Sequence, residues 1–166
     1  MAQNQPVKAI EVRPSDTINI PQTGSIVGGT SSTTGATLTD AAATFLNSST
    51  NELGYNIKGG DVIYVGTEIH EVKSVDSETV ITLKSAVGAA APYDYKIYKG
   101  NSGDLKEGQD GYSLFVGTAG DVAVLPAGTG QDSVILKNVA NNSYVPLQVQ
   151  RVLNSGTTAT DILALE

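Results

Sequence analysis

Short runs of alternating apolar and polar residues recur along this chain, separated by clusters of turn-forming residues. Asp61 to Val65 (DVIYV), Thr79 to Leu83 (TVITL) and Tyr93 to Tyr98 (YDYKIY) have the two-residue period of half-buried strands. In Glu68 to Val75, apolar Ile69, Val72 and Val75 are spaced by charged and polar residues, and this run also reads as a strand. A second series follows Gly111: Tyr112 to Val116, Asp121 to Leu125, Ser133 to Val139, Tyr144 to Leu153 and Asp161 to Leu165. Its connections, GTAG, PAGTGQ, ANN and NSGTTAT, are short and rich in turn residues, as in an antiparallel meander or jelly roll. Near the start, Val7 to Arg13 and Thr17 to Ile20 are candidate strands. Pro14 and Pro21 bracket the second, and Ser15-Asp16 forms a turn between them. Only Asp40 to Leu46 has helical character, with Asp40 placed to cap a short turn; Asn47 to Gly54 reads as a loop.

Two breaks divide the chain. Residues 22–36 are almost entirely Gly, Ser and Thr, and 99–110 are polar and Gly-rich; both read as linkers. The expected architecture is all-β: an antiparallel sandwich or jelly-roll-like domain made of 1–21 plus 111–166, with a small β-barrel-like module, 37–98, inserted into it.

Composition narrows the function. The chain has 166 residues, room for one ordinary domain or two small ones. Glycine numbers 18, about 11% against a usual ~7%, and charged residues make up 16% against about 25%. The net charge of -7 supplies little material for a basic face, so neither nucleic acid nor an anionic membrane is an expected partner. Without cysteine there is neither a disulfide framework nor a thiolate metal site. No apolar run reaches the length of a membrane-spanning helix, and the first residues lack the apolar core of a signal peptide.

Five segments occur in a telling order: Arg13-Pro-Ser-Asp-Thr-Ile-Asn-Ile-Pro21, Leu114-Phe-Val-Gly-Thr-Ala-Gly-Asp-Val122, Val134-Ile-Leu-Lys-Asn-Val139, Pro146-Leu-Gln-Val-Gln-Arg-Val-Leu153 and Gly156-Thr-Thr-Ala-Thr-Asp-Ile-Leu-Ala-Leu165. The series resembles the head spike base, or capsid decoration, protein family of tailed phages and gene transfer agents. The resemblance covers roughly 11–21 and 111–166. Compact members of that family run from the first segment almost directly into the second, so the middle of this chain stands as an insertion. Its TLTDAAATF, GGDVIYV and VDSETVITL segments look like a module that recurs in phage structural proteins.

The resemblance implies a non-enzymatic virion protein, made in the host cytoplasm and placed on the capsid exterior. Its partners would be the major capsid protein and copies of itself, as a trimer or, at vertices, a pentamer, with a spike or fibre protein as a further partner. It implies no catalytic residue, cofactor or metal. The other class in contention is a receptor- or carbohydrate-binding β module of a phage fibre or bacterial surface protein.

Candidate chemistry is sparse. His70, the single histidine, lies between Glu68 and Glu71, and a solvent-facing strand histidine is expected rather than a metal ligand or a triad base. No GxSxG elbow is present. Asp61, Glu68, Glu71, Asp76 and Glu78 are the carboxylates a glycan hydrolase would draw on, but they sit in turns or on alternating strands, where solvated charge is normal. Asp104, Asp110 and Asp121 lack calcium-loop spacing, and the glycine-rich stretches match no phosphate-binding pattern. Asn47-Ser-Ser and Asn141-Asn-Ser match the glycosylation pattern. Tyr93 and Tyr95 fall on one face of their strand and Tyr98 on the other. These three are the candidate partner-contact residues, the alternative being that they close the small module's core.

Overall fold

The computed structural model describes residues 6, 8–46, 55–100, 111–128 and 130–166. Val7, residues 47–54, expected to form a loop and carrying the Asn47-Ser-Ser motif, Asp104 and Asp110 lie outside the described residues. The fold is all-β and antiparallel, and no helix occurs among the described residues. The chain divides into two compact units, Met1–Gly24 with Gly103–Glu166, and Ser25–Ser102.

Seven strands run through the first part of the chain: β1 (Ala9–Glu11), β2 (Ser25–Ser31), β3 (Gly35–Thr39), β4 (Val62–Val65), β5 (Glu68–Val75), β6 (Val80–Val87) and β7 (Tyr93–Tyr98). Five more follow: β8 (Tyr112–Thr118), β9 (Gly120–Pro126), β10 (Val134–Val139), β11 (Ser143–Val152) and β12 (Thr160–Leu165).

In the unit built from both chain ends, the strand order is β1-β12-β8-β11-β9-β10. β11 changes partner along its length. Val145 pairs with Leu114 of β8 and Val152 with Val124 of β9, and the register shifts on either side of Val149. Pro146 sits in the first of these irregularities, where its missing N–H costs no ladder bond. The bulge also explains a change of face: Val145 and Leu147 are half-buried, whereas Val149, Gln150 and Val152 are all buried.

Residues 12–21 lie along β12 and β11. The amides of Val12, Ser15 and Ile20 donate to the carbonyls of Ile162, Val152 and Gln150, and the Tyr112 hydroxyl donates to the Pro21 carbonyl. Thr17 to Ile20 is therefore not a laddered strand. Ser15 Oγ accepts from the amides of Thr17 and Ile18, so the expected turn at Ser15-Asp16 holds while only the ends of the segment reach the sheet.

The inserted unit has the order β2-β7-β4-β5-β6-β3. Its core gathers Leu38, Phe45, Ile57, Ile63, Val72, Ile81, Leu83, Tyr95 and Ile97. Gly66, at φ 52°, makes the two-residue turn from β4 to β5, a conformation the tight hairpin requires and glycine adopts freely. The outermost strands, β2 and β3, follow each other in the chain and meet. Ser32 N donates to the Thr39 carbonyl, Thr39 N donates to Ser31 Oγ, and Thr33 Oγ1 donates to the Thr37 carbonyl.

Residues 22–36 are not a linker, because β2 pairs with β7 from Ser25↔Tyr98 to Ser31↔Tyr93, and β3 begins at Gly35. Strands that close a sheet through hydroxyls carry little apolar signal, so the Gly/Ser/Thr composition hides them. The segment 40–46 is not helical either. After a turn at Ala41-Ala42 it runs extended, with Ala43 and Phe45 buried at a two-residue spacing. Phe45 N donates to the Glu78 carbonyl, and Phe45 O accepts from Ile57 N. The backbone is paired across the unit rather than within a helix.

Candidate functional site

The tyrosines of β7 mostly build the core rather than a surface. Tyr93 and Tyr95 are buried; Tyr98 is half-buried and packs its ring against Tyr64 at 4.8 Å between centroids. Tyr95 tilts against Phe45 and donates its hydroxyl to Asp40 Oδ2 at 2.8 Å. The Tyr93 hydroxyl is buried and has no hydrogen-bond partner among the described residues. As candidate contact residues, Tyr93 and Tyr95 are thus enclosed by their own unit, which the alternation of burial along YDYKIY explains.

Asp40 is the carboxylate the sequence pattern disguises as a helix cap. It is only 8% exposed. Oδ1 accepts from the Ala42 amide at 2.9 Å and Oδ2 from Tyr95. Burial first, and then the bond to Asp40, push the Tyr95 phenol above its ordinary pKa, so it keeps its proton and donates. Gly29 of β2 makes this contact possible. A Cβ there would overlap Asp40 Oδ2 and stand 2.8 Å from the Tyr95 oxygen.

Beside this pair lies a cavity of about 340 Å³ lined by Val27, Gly28, Gly29, Thr30, Asp40, Ala42, Ala43 and Tyr55. Its size falls within the range of small-molecule sites. Tyr55 is among the exposed large aromatic residues of the unit. Since Asp40, Gly29 and Tyr55 are far apart in the sequence, only the pairing of β2 with β7 and the path of 40–45 bring them together.

A second polar cluster surrounds His70, which is buried and not solvent-facing as its strand position suggests. Its Nδ1 lies 2.9 Å from Ser85 Oγ on β6, and its Nε2 lies 3.0 Å from Glu68 Oε2. Glu68 also accepts from the Gly88 amide, and that bond foremost holds its carboxyl below the ordinary range. Serine, imidazole and carboxylate are thus in contact, but none of the three lines the cavity. The cluster ties β5 to β6 and to the turn after it.

The remaining carboxylates are structural in their contacts. Asp61 is buried rather than solvated. It accepts from the Lys58 and Gly100 amides and pairs with Lys99 at 3.2 Å. Glu71 pairs with Lys84, Asp76 accepts from Ser74 and Thr82, and the Glu78 side chain is exposed. Asp121 pairs with Lys137 and accepts from the Asn138 amide. No group of three or more potential metal ligands occurs among the described residues. Asn141 caps the β8–β9 turn, accepting from the Ala119 amide.

In the unit made of the chain ends, the large exposed apolar residues are Val134 and Ile135 on edge strand β10, Tyr144 on β11 and Leu163 on β12. Comparison with protein-family models, with curated proteins and with solved structures finds no match to this chain.

Proposed function

We propose that this protein is a non-enzymatic structural component of a tailed-phage virion, bound to the outside of the capsid as a decoration protein or head spike base. The reading rests on the five sequence segments that resemble that family. One structural observation supports it: those segments, scattered from residue 13 to residue 165, come together in one unit. Residues 13–21 lie against β11, and the other four segments supply β8 to β12 of one sheet.

The same unit leaves Val134, Ile135, Tyr144 and Leu163 exposed, which suits contact with a protein shell or with further copies of the chain. The proposed partners are the major capsid protein, identical subunits in a trimer or a vertex pentamer, and a spike or fibre protein. With 16% charged residues and a net charge of -7, attachment would be mainly apolar and weakly dependent on salt.

Mixing the purified protein with undecorated heads and sedimenting them tests this reading. Co-sedimentation that survives physiological salt is the expected result. Affinity for cells or glycans with no binding to heads would establish the alternative, a receptor- or carbohydrate-binding module.

A further inference from the structure

Asp40 lines the cavity of the inserted unit. The residue is more than nine-tenths buried, and both of its oxygens accept hydrogen bonds. Both donors, the Ala42 amide and the Tyr95 hydroxyl, are neutral. No lysine, arginine or histidine pairs with Asp40 among the described residues. Buried Asp61, in the same unit, shows the ordinary solution, a lysine at 3.2 Å. A desolvated carboxylate gains most from a cationic partner, and two neutral bonds do not cancel its charge.

The rest of the lining suits such a partner. β2 meets β3 only near Ser31 to Thr33, and among the described residues Val27 to Thr30 ladder with β7 alone, so their other backbone edge is not paired in the sheet. Carbonyl groups on that edge can take the N–H donors that Asp40 leaves over. Gly28 and Gly29 add no side chain to fill the space. Tyr55, 40% exposed, lines the same cavity and supplies an aromatic ring, a favourable partner for a planar cation.

We infer that this cavity is a binding site for a guanidinium group, held by Asp40 and Tyr55 of its lining. A guanidinium fits better than an ammonium because it is planar, carries five donors in a fixed fork and is more weakly hydrated. It would reach the site either on a free small molecule or as an arginine side chain of a polypeptide partner. The inference concerns the inserted unit alone and stands whether or not the chain binds a capsid.

The test is a titration of the ¹⁵N-labelled full chain, following the amide signals of Gly28, Gly29 and Thr30. The probes are Nα-acetyl-arginine amide, agmatine, and Nα-acetyl-citrulline amide, the uncharged isostere of the first. The two guanidinium probes should give saturable shifts with a dissociation constant in the roughly millimolar range or tighter, and citrulline should bind at least about tenfold more weakly. Equal affinity for agmatine and the arginine amide indicates a free ligand; tighter binding of the arginine amide indicates a polypeptide.

Asp40→Asn should weaken binding about tenfold or more. Because that change also touches Tyr95, two exposed positions give an independent readout: Tyr55→Ala should weaken binding severalfold, and Ala42→Leu should block it by filling the cavity. Citrulline binding as tightly as arginine, no saturable shift at Gly28 and Gly29, or indifference to both Tyr55→Ala and Ala42→Leu would overturn the site.

Discussion

Each unit of this protein is a six-stranded antiparallel sheet, yet the two conceal apolar surface by different means. The inserted unit uses one continuous stretch of chain. Its terminal strands, β2 and β3, meet through serine and threonine groups, and its large apolar side chains gather around Phe45 and Ile63. The other unit is assembled from both ends of the chain. Its N-terminal segment covers part of β11 and β12, and its edge strand β10 still presents Val134 and Ile135 to solvent. A sheet that curls on itself can complete its own burial. One whose edge strand stays open leaves apolar side chains exposed along that strand.

The sharpest way to break this comparison is Val149→Asp. Val149 is fully buried where β11 changes from β8 to β9. An unpaired charge there should cost on the order of several kcal/mol and unfold the unit made from the chain ends. Calorimetry or near-ultraviolet dichroism should then show the inserted unit still melting cooperatively. Loss of both transitions would mean that the units do not fold independently.

Phe45→Ala is the complementary change. It empties the centre of the inserted unit and should lower that unit's stability by about 3–5 kcal/mol, leaving the other transition in place. Denaturant midpoints for the two transitions measure both effects.

Acid should act on the two units together. Glu68 and Asp76 in the inserted unit are held below their ordinary values, chiefly by the Gly88 amide and the Thr82 hydroxyl. In the other unit, Asp16 is lowered foremost by the Ser155 amide, and Asp121 by Lys137. A carboxyl whose pKa falls on folding contributes stability above its unfolded pKa and loses it as pH drops through the folded value. Both melting temperatures should therefore be steady above about pH 5 and fall together below about pH 4. A fall in one alone would show that the other unit's carboxylates are not engaged in solution. The smallest effect should come from Lys84→Ala. It breaks an exposed pair with Glu71 and should change stability by less than about 1 kcal/mol.

Much of the fold was legible in the sequence. Glu68–Val75 and Tyr93–Tyr98 are strands with the bounds their patterns predict, and most of the others differ only at their ends. Alternation reports a strand with one face buried. It fails for β2, whose Gly28-Gly29 and hydroxyl residues pair through the backbone while burying little. It fails again at 40–46, where an alanine run imitates a helix but buries Ala43 and Phe45 from an extended chain.

The chemistry was less legible for the same reason. The burial of His70 and of Asp61 depends on Ser85 and Lys99, partners that local sequence does not identify. The setting of Asp40 depends on a glycine in a segment that reads as linker. A signal was available: two adjacent glycines between Ile26-Val27 and a run of threonines and serines mark close approach as well as flexibility.

The pairing of Ser25 with Tyr98 has a consequence for how such a protein is assembled and altered. The inserted unit begins and ends on neighbouring antiparallel strands, so its entry and exit points lie side by side. To its host it presents the same two anchor points as a hairpin, whatever the length of chain between them. A module with that property is portable. It can be added to, removed from or exchanged between loops without resetting the geometry of the recipient, and closing a longer loop costs only logarithmically more entropy. Grafting 25–102 into a surface loop of an unrelated β protein should therefore leave both partners folded.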